Sequence, residues 1–169
     1  DVGCGIGTVT EHISDVTGAH ITGIDFAEGA INRAMERTTS KRNRLSFDVG
    51  NMDALDYPAA SFDAIIAIDT LYFSASVEMA LNSFKLMLKE TGKIGVFWSQ
   101  YVGGDQSPEV LHPRQTRLAN AAVSVGFTYK FWEYSDAEVA YWKNTLIIAE
   151  ELRQKFMDEG NIHIYEGRM

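Results

Sequence analysis

The chain has 169 residues, of which 46% are hydrophobic and 22% charged, and its formal net charge is −8. This composition excludes a disordered chain, and the acidic balance argues against a nucleic-acid partner, which needs a basic face. No apolar run approaches the ~18 residues that a membrane span requires, and the single cysteine, Cys4, excludes an intramolecular disulfide. We therefore expect a cytoplasmic protein that binds neither nucleic acid nor a membrane.

The chain opens on three glycines at alternate positions. Asp1 leads into Gly3, Gly5 and Gly7, and an amphipathic helix is predicted from Thr8. A glycine turn before a helix lets the backbone approach a ligand closely and is a common nucleotide cradle. The dinucleotide fingerprint G-x-G-x-x-G would have its third glycine at position 8, which is threonine here. The pattern favours a cofactor site, and a tight turn without a ligand is the alternative.

Strands and helices then alternate along the chain. Short β-rich or apolar runs predict strands at 19–25, 45–49, 62–68 and 93–98. Apolar residues at helical spacing predict helices at 8–17, 28–39 and 77–88. Because strand–helix–strand repeats build parallel sheets with right-handed crossovers, we expect a doubly wound, Rossmann-like α/β fold with a mostly parallel sheet.

The last third of the chain carries weaker signals. A long loop is expected over 99–112, and a helix is expected to begin at Pro113 and to end near Gly126. An aromatic strand is predicted at 127–134 and one long helix at 135–160, with a last strand only hinted at by 162–165. No linker divides the chain, so the sequence predicts a single domain over 1–169.

The first strand is unusually short. Only Asp1 and Val2 precede the first glycine, whereas strands usually have about five residues. We therefore expect this chain to be a fragment that lacks most of its first strand.

Four segments in order resemble the motifs of the class I S-adenosylmethionine-dependent methyltransferases. They are the glycine segment at 1–8, Gly23-Ile24-Asp25-Phe26, Gly50-Asn51-Met52-Asp53 and Asp69-Thr70-Leu71-Tyr72-Phe73. The resemblance covers about residues 1–134. It implies a methyltransferase of that fold with S-adenosylmethionine as its cofactor. The family fold closes with two last strands, and the second of them is only hinted at by 162–165, so we expect the chain to be truncated at that end too.

The resemblance assigns cofactor contacts to the first segment. The backbone of Gly3, Gly5 and Gly7 would lie against the methionine and ribose parts of the cofactor. Asp1 would receive the methionine ammonium, directly or through water.

The second and third segments would hold the nucleoside. Asp25 lies 18 residues after Gly7, close to the ~20 expected for a carboxylate that accepts from ribose hydroxyls, and a helix N-cap aspartate is the alternative. By the resemblance, Phe26 flanks the adenine face, Asp53 accepts from the adenine amino group, and Met52 supplies a backbone donor. A plain loop aspartate is the alternative for Asp53.

The fourth segment would face both the methyl donor and the acceptor. Asp69 and Tyr72 are the predicted catalytic residues, with Asp69 also close to the cofactor, and both would orient the substrate. Asp69 could instead be a helix cap, and Tyr72 could instead be a core aromatic residue. Five aromatic residues are candidates for a wall that contacts a cationic or planar acceptor: Trp98, Tyr101, Trp132, Tyr134 and Trp142. Ordinary core packing is the alternative role for these residues.

The expected reaction is an in-line displacement in which a nucleophile on a small-molecule acceptor attacks the sulfonium methyl group. The methyl donor is already activated, so the protein mainly supplies orientation and a dry pocket. The long helix at 135–160 is the expected substrate cover, and the protein is expected to be a monomer or a homodimer.

Two other functions stay open on the sequence. One is a non-catalytic cofactor-binding or scaffold protein, and the other is a nicotinamide-dependent oxidoreductase, against which Thr8 argues. The four histidines lack metal-ligand spacing, so no metal site is expected. A basic cluster is interpreted as a helix end and following loop rather than a phosphate or RNA patch: Arg33, Arg37, Lys41, Arg42 and Arg44.

Overall fold

The computed structural model describes residues 1–100, 109 and 112–167. The chain divides into two compact units, Asp1–Tyr129 and Lys130–Met169. Every strand of the described residues lies in the first unit, and three helices lie in the second. The single domain predicted over residues 1–169 stays a prediction.

One half of the first unit is a two-stranded parallel sheet with two helices. In chain order it consists of α1 (Thr8–Thr17), β1 (Ile21–Asp25), α2 (Glu28–Arg37) and β2 (Leu45–Val49). Ile21 lies opposite Leu45, and the register holds to the end of both strands. Ile31 and Ala34 of α2 are buried in one cluster with Leu45 and Phe47 of β2, because their spacing places them on the inner face of the helix.

The other half has two strands with one helix between them in the chain: β3 (Phe62–Ile68), α3 (Val77–Met87) and β4 (Leu88–Phe97). The two strands are parallel, and Ala64 to Ile68 pair regularly with residues 93–97. β4 begins five residues before the predicted start at Lys93, because Leu88 pairs with Phe62 ahead of a register shift. The buried face of α3 has the predicted helical spacing: Val77, Ala80, Leu81, Phe84 and Met87.

The first two residues of the chain join the two half-sheets. Val2 forms a parallel bridge with Ile24 of β1, and its N–H donates to the carbonyl of Ile66 in β3 at 2.8 Å. The lateral order is therefore β2, β1, the Asp1–Val2 segment, β3 and β4. This order and the parallel pairing confirm the predicted doubly wound α/β fold, and the glycine segment leaves the sheet at its centre.

The helix predicted from Pro113 begins later. Helix α4 (Arg117–Ser124) starts after Thr116, whose side chain accepts a hydrogen bond from the N–H of Ala119 at 3.1 Å. A threonine side chain satisfies one of the free N–H groups of the first turn, which a proline at the helix start does not do. The N-cap therefore fixes the start of the helix.

The predicted strand at 127–134 is wrong. These residues have no regular secondary structure, and within the described part of the chain no strand pairs with them. Aromatic and apolar residues favour a strand locally, but a strand forms only where a neighbour completes its hydrogen bonds.

The single long helix predicted at 135–160 is also wrong. The structure has α5 (Ser135–Glu151) and α6 (Arg153–Asp158), separated at Leu152, where φ is −93° and ψ is 1°. No residue of either helix is fully buried, so no packing enforces one continuous helix. The residues at 162–165, which hinted at a last strand, belong to α7 (Ile162–Glu166).

Candidate functional site

The glycine segment turns sharply between the sheet and α1. Gly3, Gly5 and Gly7 have φ values of +72°, +54° and +75°, in the left-handed region that other residues avoid. A Cβ atom on Gly3 would lie 2.0 Å from the Thr70 hydroxyl, but one on Gly5 would meet nothing within 4 Å. Gly3 is therefore required by packing, whereas Gly5 borders open space that a ligand can fill.

Asp25 holds the glycine segment from the end of β1. Its Oδ2 accepts from the N–H of Gly5 at 2.8 Å, and its Oδ1 accepts from the N–H of Ala27 at 2.9 Å. Ala27, not Asp25, is the N-cap residue of α2, and that cap has no side-chain hydrogen bond. Each carboxylate oxygen has two lone pairs, so Asp25 retains one acceptor site on each oxygen for ligand hydroxyls.

Asp1 and Phe26 are two further residues that were predicted to contact the cofactor. The Oδ2 of Asp1 accepts from the hydroxyl of Thr10, a fully buried residue of α1, at 2.6 Å. Phe26 follows Asp25 and is 81% exposed, which leaves its ring free of the core. The ammonium contact of Asp1 and the adenine contact of Phe26 stay predictions.

Asp53 makes contacts that the sequence analysis missed. Its Oδ1 accepts from the hydroxyl of Ser74 at 2.6 Å, and its Oδ2 accepts from the N–H of Ala75 at 3.1 Å. The carboxylate thus ties the loop after β2 to the segment before α3. Met52 packs against the larger core cluster, and the adenine contacts of both residues stay predictions.

Asp69 directly follows β3 and has an unusual backbone conformation. Its φ is +55°, one of two positive values among the described non-glycine residues, and its N–H donates to the carbonyl of Phe97 at 3.1 Å. A left-handed non-glycine residue is strained and is often found at functional sites. Ser76 caps α3 and Thr70 precedes the short 3₁₀ helix Leu71–Phe73, so Asp69 is not the cap residue of either helix.

Tyr72 belongs to an aromatic cluster beside Asp69. Its ring centroid lies 4.6 Å from that of Phe73 and 5.8 Å from that of Trp98, which follows β4. Phe73 is 75% exposed, so this cluster lies at the surface of the first unit. Of the predicted aromatic wall, Trp98 is placed beside Tyr72, Tyr101 lies outside the described residues, and the other three belong to the second unit.

The basic cluster around the end of α2 is largely neutralised by α1. Glu11 accepts from both Arg37 and Lys41, and Asp15 accepts from both Lys41 and Arg44. This pairing favours the interpretation as a helix end and loop over a phosphate or RNA patch. Within the described ranges, no group of three or more potential ligand residues is arranged to hold a metal ion.

Cys4 is buried within the glycine segment, and burial raises the pKa of its thiol to about 11, with a smaller contribution from the Asp25 carboxylate. Because the thiolate is the reactive form, we expect iodoacetamide at pH 8 to modify native Cys4 about 100-fold more slowly than the unfolded chain. Timed alkylation followed by mass spectrometry, with and without urea, measures this ratio. Equal rates would contradict the buried position.

The comparison with known families agrees with this geometry. Residues 1–92 match the family described as the methyltransferase domain. The chain belongs to the class I S-adenosylmethionine-dependent methyltransferase family. The match spans β1, β2 and β3, the glycine segment and all four predicted motifs, so the resemblance identified in the sequence is confirmed.

Individual methyltransferase relatives cover different parts of the chain. The sterol 24-C-methyltransferase ERG6B of Gibberella zeae is 33% identical over 99 residues, which are 57% of this chain and 26% of that protein. The Haemonchus contortus phosphoethanolamine N-methyltransferase 2, solved with S-adenosyl-L-methionine, aligns with 99% of this chain and 42% of its own at a TM-score of 0.81. At 18% identity this second likeness supports the fold alone.

A third relative is named for a different reaction. The crystal structure of the [4+2]-cyclase SpnF aligns with 79% of this chain and 51% of its own, at a TM-score of 0.67 and 27% identity. The chain therefore spans about a quarter to a half of the length of these three relatives.

Proposed function

We propose that this chain binds S-adenosylmethionine at the glycine segment and transfers its methyl group to a small-molecule acceptor. The observation that carries the proposal is the Asp25 carboxylate bonded to the Gly5 N–H at 2.8 Å, beside open space at the Gly5 Cα. Backbone that borders open space and an acidic group with free lone pairs suit a ligand that presents hydroxyls and an ammonium group.

The family motifs supply the proposed cofactor contacts, and the positions of these motifs at the strand ends support them. Asp25 accepts from the ribose hydroxyls, Phe26 flanks the adenine, and Asp1 receives the ammonium group. Met52 and Asp53 lie on the adenine side, where the amide of Met52 is the proposed donor. When bound, S-adenosylmethionine supplies a methyl group activated by a positive sulfur.

The proposed acceptor side is the end of β3. Asp69 and Tyr72 orient the acceptor so that its nucleophilic atom, the methyl carbon and the sulfur lie in line. The strained backbone of Asp69 and the ring of Tyr72 against Trp98 give both residues defined positions. Such orientation is the main contribution that a protein makes to a displacement with a preactivated donor.

A small acceptor is favoured over a macromolecule. The net charge of −8 disfavours nucleic acid, and the 33%-identical methyltransferase compared above is named for a sterol. The described residues contain no helix that is long and apolar enough to span a membrane. We further propose a cytoplasmic location and a monomer or homodimer.

A non-methylating function is the second candidate. The likeness to a [4+2]-cyclase indicates that this fold also occurs in a protein named for another reaction. Binding of the cofactor product and turnover of an acceptor therefore have to be measured separately. Binding without methyl transfer across amine, hydroxyl, thiol and carbon acceptors would favour this second function.

The cofactor proposal predicts that Gly5→Ala weakens binding of S-adenosylhomocysteine at least about tenfold, because the added methyl group enters the proposed ligand space. Gly18→Ala is the matched control. Gly18 has a φ of +74° and open space at its Cα, as Gly5 does, but it ends α1 away from the strand ends. Both changes should cost about 1 kcal/mol of folding free energy.

Calorimetric titration with S-adenosylhomocysteine and urea unfolding of the same samples measure the two effects. Micromolar binding by the unaltered chain that Gly5→Ala alone weakens would support the site. No binding by the folded, unaltered chain, or equal weakening by both variants, would contradict it.

A further inference from the structure

Arg37 reaches from the last turn of α2 to the glycine segment. Its Nη1 donates to the carbonyl of Ile6 at 2.7 Å and to the hydroxyl of Thr8 at 3.2 Å. Its Nη2 donates to the carboxylate of Glu11 in α1 at 2.9 Å. One guanidinium therefore binds the glycine segment and the first turn of α1 together, 31 residues away from Ile6 in the chain.

Ile6 directly follows Gly5, whose Cα borders open space, so a bond to its carbonyl holds the turn next to that space. Asp25 holds the preceding residue by accepting from the Gly5 N–H at 2.8 Å. The N–H of Gly5 and the carbonyl of Ile6 are thus both held, which fixes the peptide groups on either side of the Gly5–Ile6 peptide. A turn with three glycines loses much backbone entropy when it is ordered, about 1–2 kcal/mol per residue, and these two bonds order it before a ligand arrives.

We propose that Arg37 is a positioning residue for the cofactor, which raises cofactor affinity by holding the glycine segment in its binding conformation. This inference rests on the proposed function. Arg37 makes its contacts through the Ile6 carbonyl and through Thr8 and Glu11, and its guanidinium is only partly exposed, with 33% of its side chain accessible. The planar fork of an arginine suits such simultaneous contacts better than a lysine ammonium.

Lys41 offers a control for the purely structural role of the ion pairs. Its Nζ donates to Glu11 at 2.8 Å and to Asp15 at 2.5 Å, so it links α1 to the 3₁₀ turn Thr39–Lys41 that follows α2. Its side-chain exposure of 27% is close to that of Arg37. The two cations thus share Glu11, but the Ile6 carbonyl bond belongs to Arg37.

The test compares Arg37→Gln, Arg37→Lys and Lys41→Gln in the full chain, with calorimetric titration of S-adenosylhomocysteine and urea unfolding of each. We expect Arg37→Gln to weaken binding about tenfold and Lys41→Gln to stay within about twofold, since only the first loses a charged donor on the glycine segment. The two glutamine variants should have similar midpoints of unfolding. Arg37→Lys should recover part of the affinity, because an ammonium can reach one of the acceptors.

Equal weakening by Arg37→Gln and Lys41→Gln, or unchanged binding by Arg37→Gln, would overturn the inference while leaving the proposed function intact. Loss of binding in the unaltered chain would instead overturn the proposed function and this inference with it. If Arg37→Gln does not fold, Arg37→Lys decides: weaker binding than in Lys41→Gln at equal stability supports the positioning role, and equal binding overturns it.

Discussion

Asp25→Asn is expected to weaken the binding of S-adenosylhomocysteine at least about 100-fold, because charged hydrogen bonds contribute about 1.5–3 kcal/mol each. The carboxylate accepts from the N–H groups of Gly5 and Ala27 and has a lone pair left on each oxygen. An asparagine has one acceptor oxygen and one donor nitrogen. Its NH₂ group would face an N–H of Gly5 or of Ala27, so the substitution disturbs the turn and removes a ribose acceptor at once.

Calorimetric titration of both forms measures this loss, and Asp63→Asn is the matched control. Asp25 is the last residue of its strand, whereas Asp63 lies near the start of β3. The side chain of Asp63 is 85% exposed and forms an ion pair with Lys89 at 2.8 Å. That exposed ion pair contributes little, so Asp63→Asn should bind like the unaltered chain. Binding of Asp25→Asn within threefold of the control would refute the ribose role.

Gly3→Ala should produce the largest loss of folding stability among single changes in the glycine segment, about 2–5 kcal/mol. The new methyl group would lie 2.0 Å from Thr70 Oγ1 and 2.7 Å from Thr70 Cβ, and the φ of +72° is itself unfavourable for alanine. Thr70 is 7% exposed and lies at the end of β3, so it has little room to move. A loss of this size is a large fraction of the stability of a typical domain.

Urea unfolding separates the clash from the backbone strain. Gly18→Ala has the same strain without the clash, so it should lose only about 1 kcal/mol. In a double-mutant cycle, Gly3→Ala should cost less stability in a Thr70→Gly background than in the unaltered chain, because the clash is absent there. Equal losses for Gly3→Ala and Gly18→Ala would show that Thr70 does not confine this position.

Local patterns predicted the strands of the first unit well. β2 and β3 have the bounds predicted from the sequence, 45–49 and 62–68, because each apolar run lies between residues that favour turns. The run at 127–134 has a similar apolar character but remains irregular. Its outcome depends on a hydrogen-bonding neighbour, which no local pattern reports.

In the candidate site, too, some residues could be predicted from local sequence patterns and others could not. The glycines and Asp25 belong to short motifs whose spacing is visible in the sequence. The Asp53 bond to Ser74 spans 21 residues and the Arg37 bond to Ile6 spans 31. Such contacts depend on how α2 and the loop before α3 pack. No local pattern therefore indicated a role for Ser74, and Arg37 stood out only as one of five clustered cations.

The Asp1–Val2 segment, which joins the two half-sheets, has a consequence for how the first unit unfolds. On one side, the carbonyl of Asp1 accepts from the N–H of Ile24, and the N–H of Gly3 donates to the carbonyl of Ile24. On the other side, the N–H of Val2 donates to the carbonyl of Ile66. Asp25 belongs to one half and Asp69 to the other. A ligand that contacts both residues would bridge the two half-sheets. Its binding free energy would oppose their separation and would make the unfolding of the first unit more cooperative by mass action.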